Sequence, residues 1–313
     1  MALSVDQAVT VSYNAVLNAM RGKPENQWAE SAFMQELESA GMIKYIPGSH
    51  TIESSLDYKR NPGAEFQATD LQAITTDPTD VLTAAQYTPA QLTVPIVWSR
   101  AQEAENPTEN QKIDLVASLI ENALQSHDDV FEEALFVADT DGFSGLPTVI
   151  PDSGQGNVGG IDASTEVWWR NYSTTYASDF STLVAGMTVA YNTASKASGA
   201  TLVPRLLVSG ATPHAGYESK LTPNVRFMDT AKGDTGFKAL AFKQARYIFS
   251  QYGDDHIYFL GPKTFQLVAF KNAYRVLGDK AEFTNANGYI RKIFSMGQTR
   301  TGNKSRLAVI YSA

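Results

Sequence analysis

Hydrophobic positions change period several times along the chain, and those changes divide it into segments. Val5, Val9, Val11, Val16 and Leu17 recur with loose helical spacing. After Gly22 and Pro24, a second stretch places Trp28, Ala32, Phe33 and Leu37 on one helical face that ends at Gly41. Neither stretch has apolar surface enough for a core, so each must lie against something, another chain included. From Ile43 the period shortens to two. Ile43–Ile46 leads to a Pro47-Gly48-Ser49 turn, and Ile52, Leu56 and Tyr58 then share one face of a strand. Alternation returns over Gln91–Trp98, where Pro95 lacks a ladder donor, so this strand must have an open edge. About 30 mostly polar residues separate the two runs, an uncommon length for a loop inside a compact domain. The pattern predicts an extended two-stranded arm, and isolated hairpins need a partner surface.

The longest element follows. Asn106-Pro107-Thr108-Glu109 reads as a capping box with Pro at the first helical position. Ile113, Val116, Ile120, Leu124, His127, Phe131, Ala134 and Ala138 then recur by threes and fours. This predicts a helix over Pro107–Ala138, about 45 Å long at 1.5 Å per residue. A Gly/Pro-rich boundary runs from Asp141 to Gly160. Phe180–Ala194 is helical in spacing with Ser178 as cap, Arg205–Ser209 is a buried strand, and a short helix is predicted near Pro213–Leu221. Short strands follow at Lys238–Phe242, Arg246–Phe249 and His256–Leu260, then a C-terminal hairpin of Ile290–Arg300 and Arg306–Tyr311.

The chain has 313 residues, 43% of them apolar and 19% charged, which excludes disorder and points to two or three packing units. The formal charge of −8 makes it a poor primary ligand for duplex phosphates. Cys is absent, which excludes disulfides, thiolate metal sites and Cys nucleophiles. No signal peptide or run of about 18 apolar residues is present, so a cytosol-like compartment is expected.

Candidate chemistry is sparse. None of His50, His127, His214 and His256 has metalloprotease spacing, and His127 on the apolar stripe reads as a packed side chain with one hydrogen bond. Asp139-Thr140-Asp141-Gly142 opens like a calcium loop, but Ser144 and Ile150 stand where Gly and Glu are required. Gly154–Gly159 has dinucleotide-loop spacing without the strand and helix that give it meaning. Asp128, Asp129, Glu132 and Glu133 form like-charge pairs on the long helix. They are either a solvated face or carboxylates that another subunit's Arg or Lys neutralises, with a two-metal site a distant third. Trp168 and Trp169 are expected to pack against different layers, and Asp162 to pair with Arg170. No catalytic, metal or cofactor residue is assigned. A hydrolase using His127, Asp128 and Asp129 is the rival reading.

Several runs resemble the major capsid proteins of tailed bacteriophages. Leu56-Asp57-Tyr58-Lys59-Arg60-Asn61-Pro62-Gly63-Ala64 is similar to the E-loop of one capsid subfamily, and Ala84–Tyr87 with Val94–Ser99 to its return strand. Gly159-Gly160-Ile161-Asp162 with Trp168-Trp169-Arg170-Asn171 is the sharpest match. The resemblance implies an α+β Hong Kong 97-like fold. It divides the chain into an N-terminal arm (1–42), an E-loop hairpin (43–100), a P-domain spine helix and following loop (101–177), an A-domain (178–289) and a C-terminal hairpin returning to the P-domain (290–313). It further implies self-assembly into hexamers and pentamers of an icosahedral shell around double-stranded DNA, in a virion built in the host cytoplasm. Expected partners are a separate scaffolding protein, a portal, a possible decoration or cement protein, and DNA held weakly. A nanocompartment shell of the same fold is the alternative. The hairpin of residues 45–98 should then project, with its tip near 61–80 on a neighbour. Lys59, Arg60, Asp128, Asp129, Glu132 and Glu133 are the candidate inter-subunit contacts. Lys59 is a conceivable crosslink donor, without a matching acceptor motif.

Overall fold

A computed structural model of the chain describes residues 32–61, 63, 64, 66, 80–105, 109–196, 202–221, 240–283 and 287–313. The expected first helix, Trp28 and the capping residues 106–108 lie outside these residues. The elements are α1 (Ala32–Ser39), β1 (Ile43–Ile46), β2 (Ile52–Asp57), β3 (Leu82–Tyr87), β4 (Ala90–Ser99), α2 (Arg100–Glu105), α3 (Glu109–Phe136), β5 (Asp139–Thr140), β6 (Phe143–Ser144) and α4 (Leu146–Val149). Then come β7 (Asn157–Val158), β8 (Ile161–Asp162), β9 (Tyr172–Tyr176), α5 (Leu183–Ser195), β10 (Leu206–Ser209), α6 (Ala211–Lys220), β11 (Leu240–Phe242), β12 (Ala245–Phe249) and β13 (Ile257–Leu260). The chain closes with β14 (Phe265–Phe270), β15 (Val276–Leu277), β16 (Ala281–Glu282), β17 (Gly288–Thr301) and β18 (Ala308–Ser312).

The described strands form two large sheets. The first is built around the 14-residue β17, which pairs antiparallel with β14, β15, β16 and, along the whole of β4, with that strand. The second runs β11-β12-β10-β13-β18-β9. Its central β10 is buried on both faces, which is why Leu206, Leu207 and Val208 read as an unbroken apolar run. Leu206 and Val208 face α1 and α3, in a core with Phe33, Leu37, Phe131 and Leu135. Leu207 faces the other way, onto Leu183, Met187 and Tyr191 of α5.

The long helix is continuous for 28 residues. Ile120, Leu124, Phe131 and Leu135 are buried as its spacing predicts, while the side chain of Ile113 lies outside the described residues. Leu124 packs with Ile96, Trp98 and Ile293 of the first sheet. Leu124→Ala is expected to cost about 3 kcal/mol through the cavity it leaves. Urea titration checks this, and a loss below about 1 kcal/mol would mean that the helix is not seated on β4 and β17.

Three expectations need correction. Residues 45–98 are not one projecting arm. β1 pairs parallel with β14 inside the first sheet, β2 pairs with β3, and the return strand β4 pairs with β17. Ladder pairing with a strand almost 200 residues later satisfies β4 better than a solvated partner would, and it leaves β4 as the predicted open edge, since β17 is its one strand neighbour among the described residues. The last two strands are not a hairpin either, because β17 lies in the first sheet and β18 crosses to pair with β13 and β9 in the second. Finally, α1 is no coreless arm. Phe33, Met34 and Leu37 are wholly buried, and Arg246 of β12 holds the Glu36 carboxylate at 2.7 and 2.9 Å.

Candidate assembly interface

The hairpin β2–β3 stands on a local core. Its register runs from Ile52 opposite Tyr87 to Asp57 opposite Leu82, so period-two alternation points Ile52, Leu56, Ala85 and Tyr87 the same way. These four pack on Val158, Ala163, Trp169, Val268 and Phe270. The glycines that looked like a dinucleotide loop have a mechanical purpose. Gly159 and Gly160 both have positive φ, +65° and +78°, the geometry of a two-residue turn joining β7 to β8. A Cβ on Gly159 would lie 2.7 Å from that of Ala85, and its carbonyl accepts from the Gln86 amide at 2.9 Å. Asp141-Gly142 makes the same kind of turn between β5 and β6 (φ 48° and 86°), which accounts for the abortive calcium-like run.

Trp168 and Trp169 follow in a turn of 3-10 helix, not in regular structure, and both join this one cluster. That overturns the expectation of two layers. Trp169 is buried and donates its indole N–H to Val158 O at 3.1 Å, while Trp168 lies 5.1 Å, centroid to centroid, from Tyr58 just past the end of β2. Arg170 does not reach for Asp162. It donates to the carbonyls of Ala163 and Ser164, each at 2.8 Å, and Asp162 accepts instead from Ser164, which holds its carboxyl below the usual range. Beneath this turn Lys304 is buried and donates to Gln155 O at 3.1 Å. Burial pulls its pKa down to about 8, with Asp162 partly restoring it. The base of the hairpin is therefore anchored to its own chain. Lys59 and Arg60 lie beyond the last ladder pair and are exposed, with Arg60 donating to Ala64 O at 3.3 Å. Most of residues 61–80 lie outside the described residues.

The acidic quartet divides. Asp128 binds Arg275, whose side chain is 3% exposed, and lies 3.0 Å from Nδ1 of His127. His127 is wholly buried and makes a second hydrogen bond, Nε2 to Ser295 Oγ at 2.8 Å, where one was expected. Burial keeps its pKa low, so the ring is neutral at pH 7 and joins spine helix to sheet. Asp129 accepts from Tyr252 Oη at 2.6 Å and Gln251 Nε2 at 3.3 Å. That bond raises the Tyr252 pKa to about 12. Glu132 is buried and accepts from Ser250 at 2.5 Å. Three of the four are thus paired within the subunit, contrary to the expectation of unpaired carboxylates. Their donors come from positions more than a hundred residues away, so no local pattern announces them. Glu133 remains exposed on the surface.

A contact unforeseen from sequence sits at His256. Its Nε2 is 2.9 Å from Asp152 in the glycine-rich loop, its Nδ1 2.8 Å from Asp254, and its ring stacks on Tyr258 and Tyr311. Burial opposes the charge, but Asp254 and Asp152 outweigh it and raise the pKa to about 9. The sign follows from a raised folded pKa. The clamp stabilises fully below about pH 6.5 and is lost as pH rises through about 9. His256→Gln should lower the melting temperature at pH 6 and much less at pH 10. An equal loss at both would show that the ring merely fills space.

No family model and no curated sequence matches the chain. Solved structures do. The cyanophage A-1(L) capsid asymmetric unit aligns at a TM-score of 0.59 and 12% identity, covering 87% of this chain and 90% of that one. The capsid of a native GTA particle aligns at 0.60 and 10% identity, over 88% and 89%. The SrpI encapsulin of Synechococcus elongatus PCC 7942, in a holo complex, aligns at 0.51 and 8% identity, over 86% and 85%. With the hairpin on its local core, the spine helix across β17, and the second sheet flanked by α5 and α6, the chain has the Hong Kong 97-like fold of tailed-phage capsids.

Proposed function

We propose that the protein is a major capsid protein whose copies close an icosahedral shell of hexamers and pentamers around double-stranded DNA. One observation carries this reading: reciprocal alignment with capsid subunits over 87–88% of this chain and 89–90% of theirs. The subunit's own features fit. A hairpin anchored at its base carries exposed Leu82 at its outer end, and β4, paired among the described residues with β17 alone, offers its other edge to a neighbour. The role is structural, without catalysis. Partners are further copies of the chain, a separate scaffolding protein, a portal, a decoration or cement protein, and weakly held DNA, in a virion assembled in the host cytoplasm. This reading redraws the divisions expected from the resemblance: β1, β4, β14, β15 and β16 join β17 in the sheet beside the spine helix, and β9 and β18 join the second sheet, grouped with the A-domain.

In this reading Arg60 and Lys59 of one subunit meet Glu133 and Asp129 on the next. One exposed pair contributes about 0–1 kcal/mol, which a shell repeats at every contact. Arg60→Ala should shift assembly to higher protein concentration and leave the subunit's melting temperature unchanged. Deleting Asn61–Asp80 should leave a soluble subunit that sediments without shells. Shells from the deletion variant would remove the hairpin from the account.

The second reading is a nanocompartment enclosing protein cargo, favoured by the alignment with the SrpI encapsulin. Nuclease-protected DNA in purified particles supports the capsid reading. Protein contents without DNA support the compartment.

A further inference from the structure

An apolar cavity of about 180 Å³ opens between the spine helix and the first sheet, at the start of β4. Val130, Phe131 and Ala134 of α3 form one wall, Leu92 and Met296 the floor, and Phe143 of the β5–β6 hairpin the end. Its volume matches one large aliphatic or aromatic side chain. A further feature marks it as built for an occupant, the acidic character of its rim. The one charged lining residue is Asp141, and Glu133 and Asp139, adjacent in sequence to lining residues, are also exposed. Val130, at 43% exposure, extends the apolar surface outward.

We infer that this cavity receives a cationic amphipathic peptide segment of another protein. One apolar side chain of the segment fills the cavity, and flanking Lys or Arg side chains meet Asp141, Asp139 and Glu133. Charge complementarity decides the class of partner, because no Lys or Arg lines the cavity. The inference concerns the single subunit and does not depend on shell formation.

The test uses the full chain and a labelled peptide of about 15 residues, only Leu and Lys, at helical amphipathic spacing, followed by fluorescence anisotropy. Binding should weaken at least about tenfold in Ala134→Trp, which fills the cavity, and severalfold in Asp141→Lys, with circular dichroism reporting the fold. Should Ala134→Trp fail to fold, Val130→Lys at the exposed mouth decides and should also weaken binding at least about tenfold. Equal affinity for the unaltered chain and the folded cavity variant would overturn the inference. So would equal binding of a Leu/Glu peptide, or a variant that changes self-association of the chain and not peptide binding.

Discussion

Gly145→Ala is expected to cost about 4 kcal/mol, above the roughly 1–3 kcal/mol typical of overpacking, because the added group meets backbone. Gly145 lies under the C-terminal end of the spine helix, its amide donating to Ala138 O at 3.2 Å. An added Cβ would collide with Val137 O and fall 2.7 Å from Ala134 O and 2.9 Å from Leu135 O. These are backbone oxygens of the helix end, so no rotamer change relieves the clash. Either the last turn unwinds or the β5–β6 hairpin moves off, taking Phe143 and Leu146 out of the core they share with Phe131. Guanidinium unfolding measures the loss. A variant within about 1 kcal/mol of the parent would show that the helix end and this loop are not in close contact.

Arg275→Met should cost about 3–5 kcal/mol, because removing one partner of a buried ion pair leaves the other charge uncompensated. Arg275 is nine-tenths buried or more, and among the described residues it is the one cation paired with Asp128, the adjacent His127 ring being neutral. The electrostatic consequence is specific. Arg275 is one of the groups that hold His127 neutral, so its removal should raise the His127 pKa toward that of a carboxylate-paired imidazole. Pairing Arg275→Met with Asp128→Asn should recover part of the stability, which a double-mutant cycle reads as coupling of about 0.5–3 kcal/mol. Additive losses would mean that the two side chains do not interact.

How far the sequence spoke depended on the distance between the interacting residues. The three–four spacing of Ile120, Leu124, Phe131 and Leu135 announces the spine helix because every turn repeats the same demand. Period-two runs announce strands in the same way, and Pro95 announces an open edge through its missing donor. Partners are another matter. Nothing in Gln91–Trp98 says that its ladder is completed by Gly288–Thr301, or in Arg306–Tyr311 that this strand crosses to a second sheet. The same limit applies to the acidic quartet, whose donors Arg275, Ser250 and Tyr252 are remote in sequence. Gly159 was legible as a special position, but the reason for it, the close approach of Ala85, exists only in the folded chain.

The proposed shell is tested most directly by cryo-electron microscopy of particles purified after expression of the full-length chain with its scaffolding protein. The account predicts closed icosahedral shells of hexamers and pentamers. In their density the β2–β3 hairpin of each subunit reaches a neighbour's spine helix, with Arg60 near Glu133. Subunits that stay monomeric at every concentration, or shells in which Arg60 and the chain beyond the β2–β3 ladder stay on their own subunit, would contradict it.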